Sequence, residues 1–151
     1  MTSGKPTFYD RIRRPEATTA AREGAEAAGF DALRGHKYAL LVTYRRSGEP
    51  VPTPVWFGLE GDSHVYVLTG AEAAKVKRIH ADPRALVGPC DRRGKPLGPL
   101  AAGTARVVGE GEREHAESVL SASYGLGRRL YERIAGDRTD SAYLEVTSNV
   151  A

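Results

Sequence analysis

The chain has 151 residues, 40% of them apolar and 27% charged, and its 22 Lys or Arg against 19 Asp or Glu give a formal charge of +3. That length closes one hydrophobic core, and the composition is that of an ordinary soluble protein, with no stretch near the roughly 20 apolar residues of a membrane span. The mild charge is no argument for nucleic acid by itself. A single cysteine, Cys90, excludes an intrachain disulfide and a cysteine metal cluster. With no signal-like N-terminus, the expected location is the cytoplasm.

Residues 1–14 mix Phe8, Tyr9 and Ile12 with Arg11, Arg13 and Arg14 and read as an arm. Pro15 to Ala28 is an alanine-rich helix, with Pro15 in its first turn and Gly29 as its C-terminal cap. Its apolar face is almost all alanine, so it is expected to be peripheral. Residues 1–29 are therefore set apart from a second unit, 30–151.

Tyr38–Tyr44 is a β-prone run with an apolar centre, and Arg45–Pro50 carries turn chemistry. Val51 to Leu59 reads as the next strand. Pro52 and Pro54 cannot donate to a ladder, so it lies at an edge or turns those positions away from a neighbour. Glu60–Ser63 is a hairpin turn before the strand His64–Thr69. Ala71–Ala81 has helical spacing at Ala74, Val76 and Ile79 and stops at Asp82-Pro83. Arg84–Cys90 and Leu100–Val108 are strands around the turn Asp91–Pro96. An acidic start at Glu110 opens a helix with Ala116, Val119 and Leu120 on one face. Leu126, Leu130, Tyr131 and Ile134 continue as a second short helix, and Ala142–Thr147 is a final, alternating strand. Six short strands joined mostly by hairpins suit a mainly β fold, an antiparallel barrel with peripheral helices.

The chemistry-bearing feature is a strand end followed by a basic helix: Thr69, then Lys75, Lys77 and Arg78. Seven Lys or Arg residues (75, 77, 78, 84, 92, 93 and 95) stand between Lys75 and Lys95 against Asp82 and Asp91, so the positive surplus is local. Backbone N–H groups of a helix start, combined with cations, suit phosphate. A solvated basic helix is the plainer reading of Lys-x-Lys-Arg. Trp56 and Phe57 are adjacent on a strand, so one faces the interior and the other outward. Cys90 has no nearby base and reads as a small buried or pocket-lining residue. His36, His64, His80 and His115 show no metal-ligand spacing. No Gly-x-Ser-x-Gly, Walker or Rossmann motif occurs in the required setting.

The strings Thr53-Pro-Val-Trp-Phe57, Leu68-Thr-Gly70, Lys75-Val-Lys-Arg-Ile79, Asp82-Pro-Arg84 and Pro89-Cys-Asp-Arg-Arg-Gly94 follow in a specific order. With Ala122-Ser-Tyr-Gly125, they make residues 30 to 148 resemble the pyridoxamine 5′-phosphate oxidase-like split β-barrel proteins. The closer resemblance is to their F420-dependent flavin/deazaflavin branch. It implies an FMN-binding-protein-like, six-stranded split barrel, forming a homodimer with cofactor sites at the subunit interface. It also implies that the ring lies against Thr53, Pro54, Val55 and Trp56. The phosphate would be held near Leu68, by Thr69, Lys75 and Lys77, and by backbone around Val76, with Pro89 and Cys90 flanking the site. Two positions depart from the pattern: Arg78 stands where many relatives carry asparagine, and Gly70 replaces a frequent hydroxyl residue.

The resemblance implies hydride transfer from reduced F420 to a small conjugated or unsaturated substrate, with no catalytic side chain and no metal. The turn cations Arg92, Arg93 and Lys95 would favour F420 by lining its oligoglutamate tail. FMN in the same fold, and a carrier that binds cofactor without turnover, are the alternatives. A nucleic-acid-binding barrel fits poorly, because the aromatics lie in apolar or alternating strands rather than among the cations. Phe8, Tyr9 and Tyr124 are candidates for the substrate wall.

Overall fold

The computed structural model describes residues 15–123 and 141–149. Its centre is one antiparallel sheet of seven strands: β1 (Tyr38–Tyr44), β2 (Pro50–Trp56), β3 (Gly58–Glu60), β4 (His64–Gly70), β5 (Arg84–Cys90), β6 (Ala101–Val107) and β7 (Ser141–Ser148). They are ordered β2-β1-β5-β6-β7-β4-β3, so the sheet curls until its two edges, β2 and β3, belong to neighbouring stretches of chain. The expected count of six is corrected to seven. The run from Val51 to Leu59 breaks at Phe57, whose first side pairs with β1 and whose second side pairs with β4.

The prolines of β2 explain its edge position. Pro50, Pro52 and Pro54 stand opposite Tyr44, Val42 and Leu40. Lacking N–H groups, they must occupy the non-hydrogen-bonded pairs, so their carbonyls point away from β1. The outer edge of β2 therefore offers acceptors at these three positions and no donor.

Three clusters pack around the sheet. Inside the curl, Ala39, Leu41, Phe57, Val65, Val67, Val87 and Leu144 meet Phe30 and Leu33. The helix α2 (Ala74–Ala81) closes this interior with Val76 and Ile79. Outside, α1 (Pro15–Glu23) seats Ala17 and Ala21 on Leu40, Val42, Leu86, Cys90 and Leu100. This helix ends earlier than expected, at Gly24 with φ of +85°. Gly24 serves as its C-terminal cap, and Gly29 does not. The third cluster joins Tyr66 and Tyr143 to Ala116 and Leu120 of α3 (residues 113–123). The expected second short helix, the arm and Tyr124 lie outside the described residues.

The last strand departs from clean alternation, because five consecutive residues, Ala142 to Val146, are buried. Its Glu145 is only 6% exposed. Its carboxylate accepts from Tyr66 Oη at 2.8 Å and Arg106 Nε at 2.7 Å, and His64 Nδ1 lies 3.0 Å away. Three strands thus share one buried carboxylate. No helix among the described residues is long and apolar enough to cross a membrane.

Candidate cofactor site

Thr69 is the last residue but one of β4, and Lys75 lies in the first turn of α2, which has Ala73 at its N-cap and no side-chain cap. Lys75 Nζ donates to Thr69 Oγ1 across 3.2 Å. Arg78, one turn further on the same face, donates from Nε to Thr43 Oγ1 across 2.6 Å. Lys75 is half-buried, and burial, then the Arg78 charge, holds its ammonium below the ordinary lysine range. A half-buried cation repelled by a second cation, with a hydroxyl for its hydrogen-bond partner, is an arrangement that an anion stabilises. Lys77 is exposed, while the Val76 side chain lies in the core and its backbone N–H donates to the Ala73 carbonyl across 3.0 Å.

Thr43 faces Val51 across the β1–β2 ladder, while Leu41 faces Thr53 and Tyr38 faces Trp56. The stretch from Thr53 to Trp56 therefore begins roughly 7 Å and ends roughly 17 Å along the strand from the Arg78 anchor. All four of its residues are partly exposed. Thr53 and Val55 share the interior-facing side with Leu41 and Ala39, whereas Pro54 and Trp56 share the outer side with Leu40 and Tyr38. Phe57 is the inward residue of the aromatic pair, at 4% exposure. On the other side of β1, Pro89 pairs with Ala39 and Cys90 with Tyr38, level with Val55 and Trp56.

Cys90 does not line an open site. It is buried against Leu40 and Leu100, and burial, then Asp91, pushes its thiol up to about 12. Arg92 is also not brought to the phosphate grip. It lies in the exposed turn that Asp91 Oδ1 organises by accepting from the N–H groups of Arg93 and Lys95, both at 2.9 Å. That turn follows Cys90, at the Tyr38 end of β1, whereas Arg78 is fixed at the Thr43 end. Within one chain, Arg92, Arg93 and Lys95 thus stand at the opposite end of β1 from the grip. Leu68, the remaining expected residue, is partly buried against the Tyr66 cluster and not at the grip.

The residues fit a phosphorylated ring cofactor: an anion grip level with Val51 of β2, and an outer edge of that strand whose backbone acceptors run from Pro50 to Pro54. Thr43 was absent from the expected set. Its signal was a hydroxyl closing an otherwise apolar run, which shows its meaning only once β1 and α2 are seen together.

A family model described as pyridoxamine 5′-phosphate oxidase matches residues 25–147. A search of curated proteins finds no match. Among solved structures, an FAD-binding protein from Mesorhizobium loti is similar at a TM-score of 0.58 and 15% identity, over 78% of this chain and 85% of that one. The heme storage protein of Vibrio cholerae aligns at 0.56 and 16% identity, over 78% and 85%. A structure described as F420 reductase aligns at 0.52 and 18% identity, over 83% of this chain and 97% of its own. At these identities the structures speak for the fold alone. By its family match and its curled seven-stranded sheet, the chain belongs to the pyridoxamine 5′-phosphate oxidase family.

Proposed function

We propose that this chain is an F420-dependent oxidoreductase that reduces a small conjugated or unsaturated substrate, working as a homodimer with its sites at the subunit interface. The observation that carries the reading is the paired cation grip, Lys75 on Thr69 and Arg78 on Thr43, placed at one end of the acceptor edge of β2. The preference for F420 over FMN is supported by the order of the motifs from Thr53 to Gly94 and by the F420 reductase among the similar folds.

Lys75 and Arg78 would hold the phosphate, with the first turn of α2 adding backbone N–H donors. The Pro54 carbonyl points outward within the Thr53 to Trp56 stretch, so the β2 edge can receive a ring N–H group and fix the ring's orientation. When bound, the reduced deazaflavin supplies the hydride. The protein's own part is to position the acceptor and exclude water, which requires no nucleophile; the raised thiol of Cys90 agrees with that.

The test is titration of the purified protein with F420 and with FMN, followed through Trp56, its only tryptophan. The expected result is tighter binding of F420 and turnover of a quinone or enone. Tighter FMN binding transfers the reading to FMN, binding without turnover to a carrier, and binding of neither at micromolar levels removes it.

A further inference from the structure

Beside α1 runs a groove of about 340 Å³, with Glu16, Glu23 and Glu26 on one side and Pro96, Gly98 and Leu100 on the other. Glu16 and Glu23 stand two turns apart on one face of the helix. All three carboxylates are exposed, and among the described residues none of them forms an ion pair. The apolar side continues directly from the turn after β5. There Asp91 Oδ1 accepts from the N–H groups of Arg93 and Lys95, the Asp91 N–H donates to the Lys95 carbonyl at 2.9 Å, and Gly94 has a φ of +94°. The turn is therefore fixed before anything binds it, which lowers the cost of binding. Arg92 and Lys95 are exposed on it and, among the described residues, form no ion pair. Leu97, between Pro96 and Gly98, stands outside the groove at 50% exposure, and no other large apolar side chain among the described residues is exposed.

One patch thus carries an acidic groove beside a cationic turn, and a projecting leucine beside an apolar wall. A two-fold contact needs opposite features side by side, because each surface must meet a rotated copy of itself. We propose that two copies of the chain meet on this patch, the turn of each lying against the groove of the other. Arg92 and Lys95 of one copy would face the three carboxylates of the other, and Leu97 would be covered between them, giving an apolar centre with a charged rim. The pattern favours a second copy over a foreign protein, which needs no such matched features on one patch. The inference rests on the homodimer part of the reading above and not on its choice of cofactor. Cys90, Tyr38 and Trp56 are level on β5, β1 and β2. The turn therefore leaves the sheet roughly 10 Å, two strand spacings, from Trp56. A second chain seated on it approaches the ring floor at the end away from the grip.

Analytical ultracentrifugation of the full chain without cofactor tests this, and the wild type should be a dimer. Glu23→Lys with Glu26→Lys reverses the groove at the end of α1, where basic residues suit the helix. Arg92→Glu with Lys95→Glu reverses the turn. Each reversed protein alone should dimerise at least about tenfold more weakly, since the two-fold axis counts every contact twice. Mixed in equal amounts, the two should form a heterodimer about as tight as the wild type, because unlike charges then face each other at both contacts. The effect of each reversal should shrink in about 0.5 M salt, whereas Leu97→Ser should loosen the dimer at every salt concentration. Circular dichroism spectra matching the wild type show that the variants fold. A dimer that both reversals leave intact, or reversed proteins that fail to pair with each other, overturns the inference and leaves the homodimer reading standing. A wild type that stays monomeric at about 100 μM overturns both. Titration with F420 and FMN decides the cofactor separately.

Discussion

Arg78 and Thr43 are 35 positions apart, yet the Arg78 Nε–H donates to the Thr43 hydroxyl across 2.6 Å. That bond fixes the basic face of α2 against the interior end of β1, where Thr43 is 1% exposed. Thr43→Val keeps the shape and removes the acceptor. The expected cost is about 1 kcal/mol in denaturant unfolding. Affinity for a phosphorylated flavin should fall about tenfold, while riboflavin, which has no phosphate, binds unchanged. Equal losses for FMN and riboflavin would show that Thr43 supports the fold and not the grip.

Lys75 gives the grip a pH dependence. Burial first, and the Arg78 charge second, lower its pKa from the ordinary 10.5. Anion binding needs the protonated form, so affinity for the phosphate is full below the lowered pKa and declines as pH rises through it. The decline should therefore begin at a lower pH than for an exposed lysine, and Lys75→Arg, which stays charged, should flatten it. Dissociation constants for FMN measured from about pH 7 to about pH 10 check this, and a profile identical in the two proteins would refute it.

Local patterning made much of this fold legible and left its long-range joins hidden. β1 and β5 have the boundaries expected from their β-prone runs, and the proline spacing of β2 identifies an edge strand. The break at Phe57 was not legible, because the change of partner from β1 to β4 depends on how the sheet curls and not on residue periodicity. Lys75 and Thr69 could be paired on paper because six residues separate them. Thr43 could not, since its partner comes from another element. The turn of Arg92, whose cations read as a basic path for a cofactor tail, is likewise placed only by the antiparallel register, which puts it at the far end of β1 from Arg78.

The contact between β3 and α3 predicts a steric effect at Gly58. A Cβ there would lie 2.9 Å from the Val119 carbonyl and 3.0 Å from Leu120 Cα, both backbone atoms that cannot turn aside. Gly58→Ala should therefore push α3 off the sheet and cost about 1–3 kcal/mol. Gly109 offers a control, with a φ of −72° and nothing within 4 Å of its added Cβ. Gly109→Ala should stay within about 0.5 kcal/mol of the wild type. Urea unfolding midpoints compare the two, and equal midpoints would rule out the close approach.

Glu145 should dominate the acid limb of stability. Burial raises its pKa, but hydrogen bonds from Tyr66 and Arg106, with the Arg106 and His64 charges, outweigh burial and hold it below the ordinary 4.5. Because the folded pKa is depressed, its contribution is present above the unfolded value and is lost as pH falls through the folded one. Glu145→Gln retains the volume but cannot accept charge-assisted bonds from both partners, and its own N–H₂ group is set against donors. At neutral pH it should be less stable by about 1.5–3 kcal/mol. The gap should persist down to the ordinary glutamate range and narrow below it, as the wild-type carboxylate becomes protonated and loses the same interactions. Unfolding of both proteins followed across that range tests the sign directly. A gap that widens on acidification would mean that the neutral form is the one the fold prefers, and that burial, not Arg106 and Tyr66, sets the charge of Glu145.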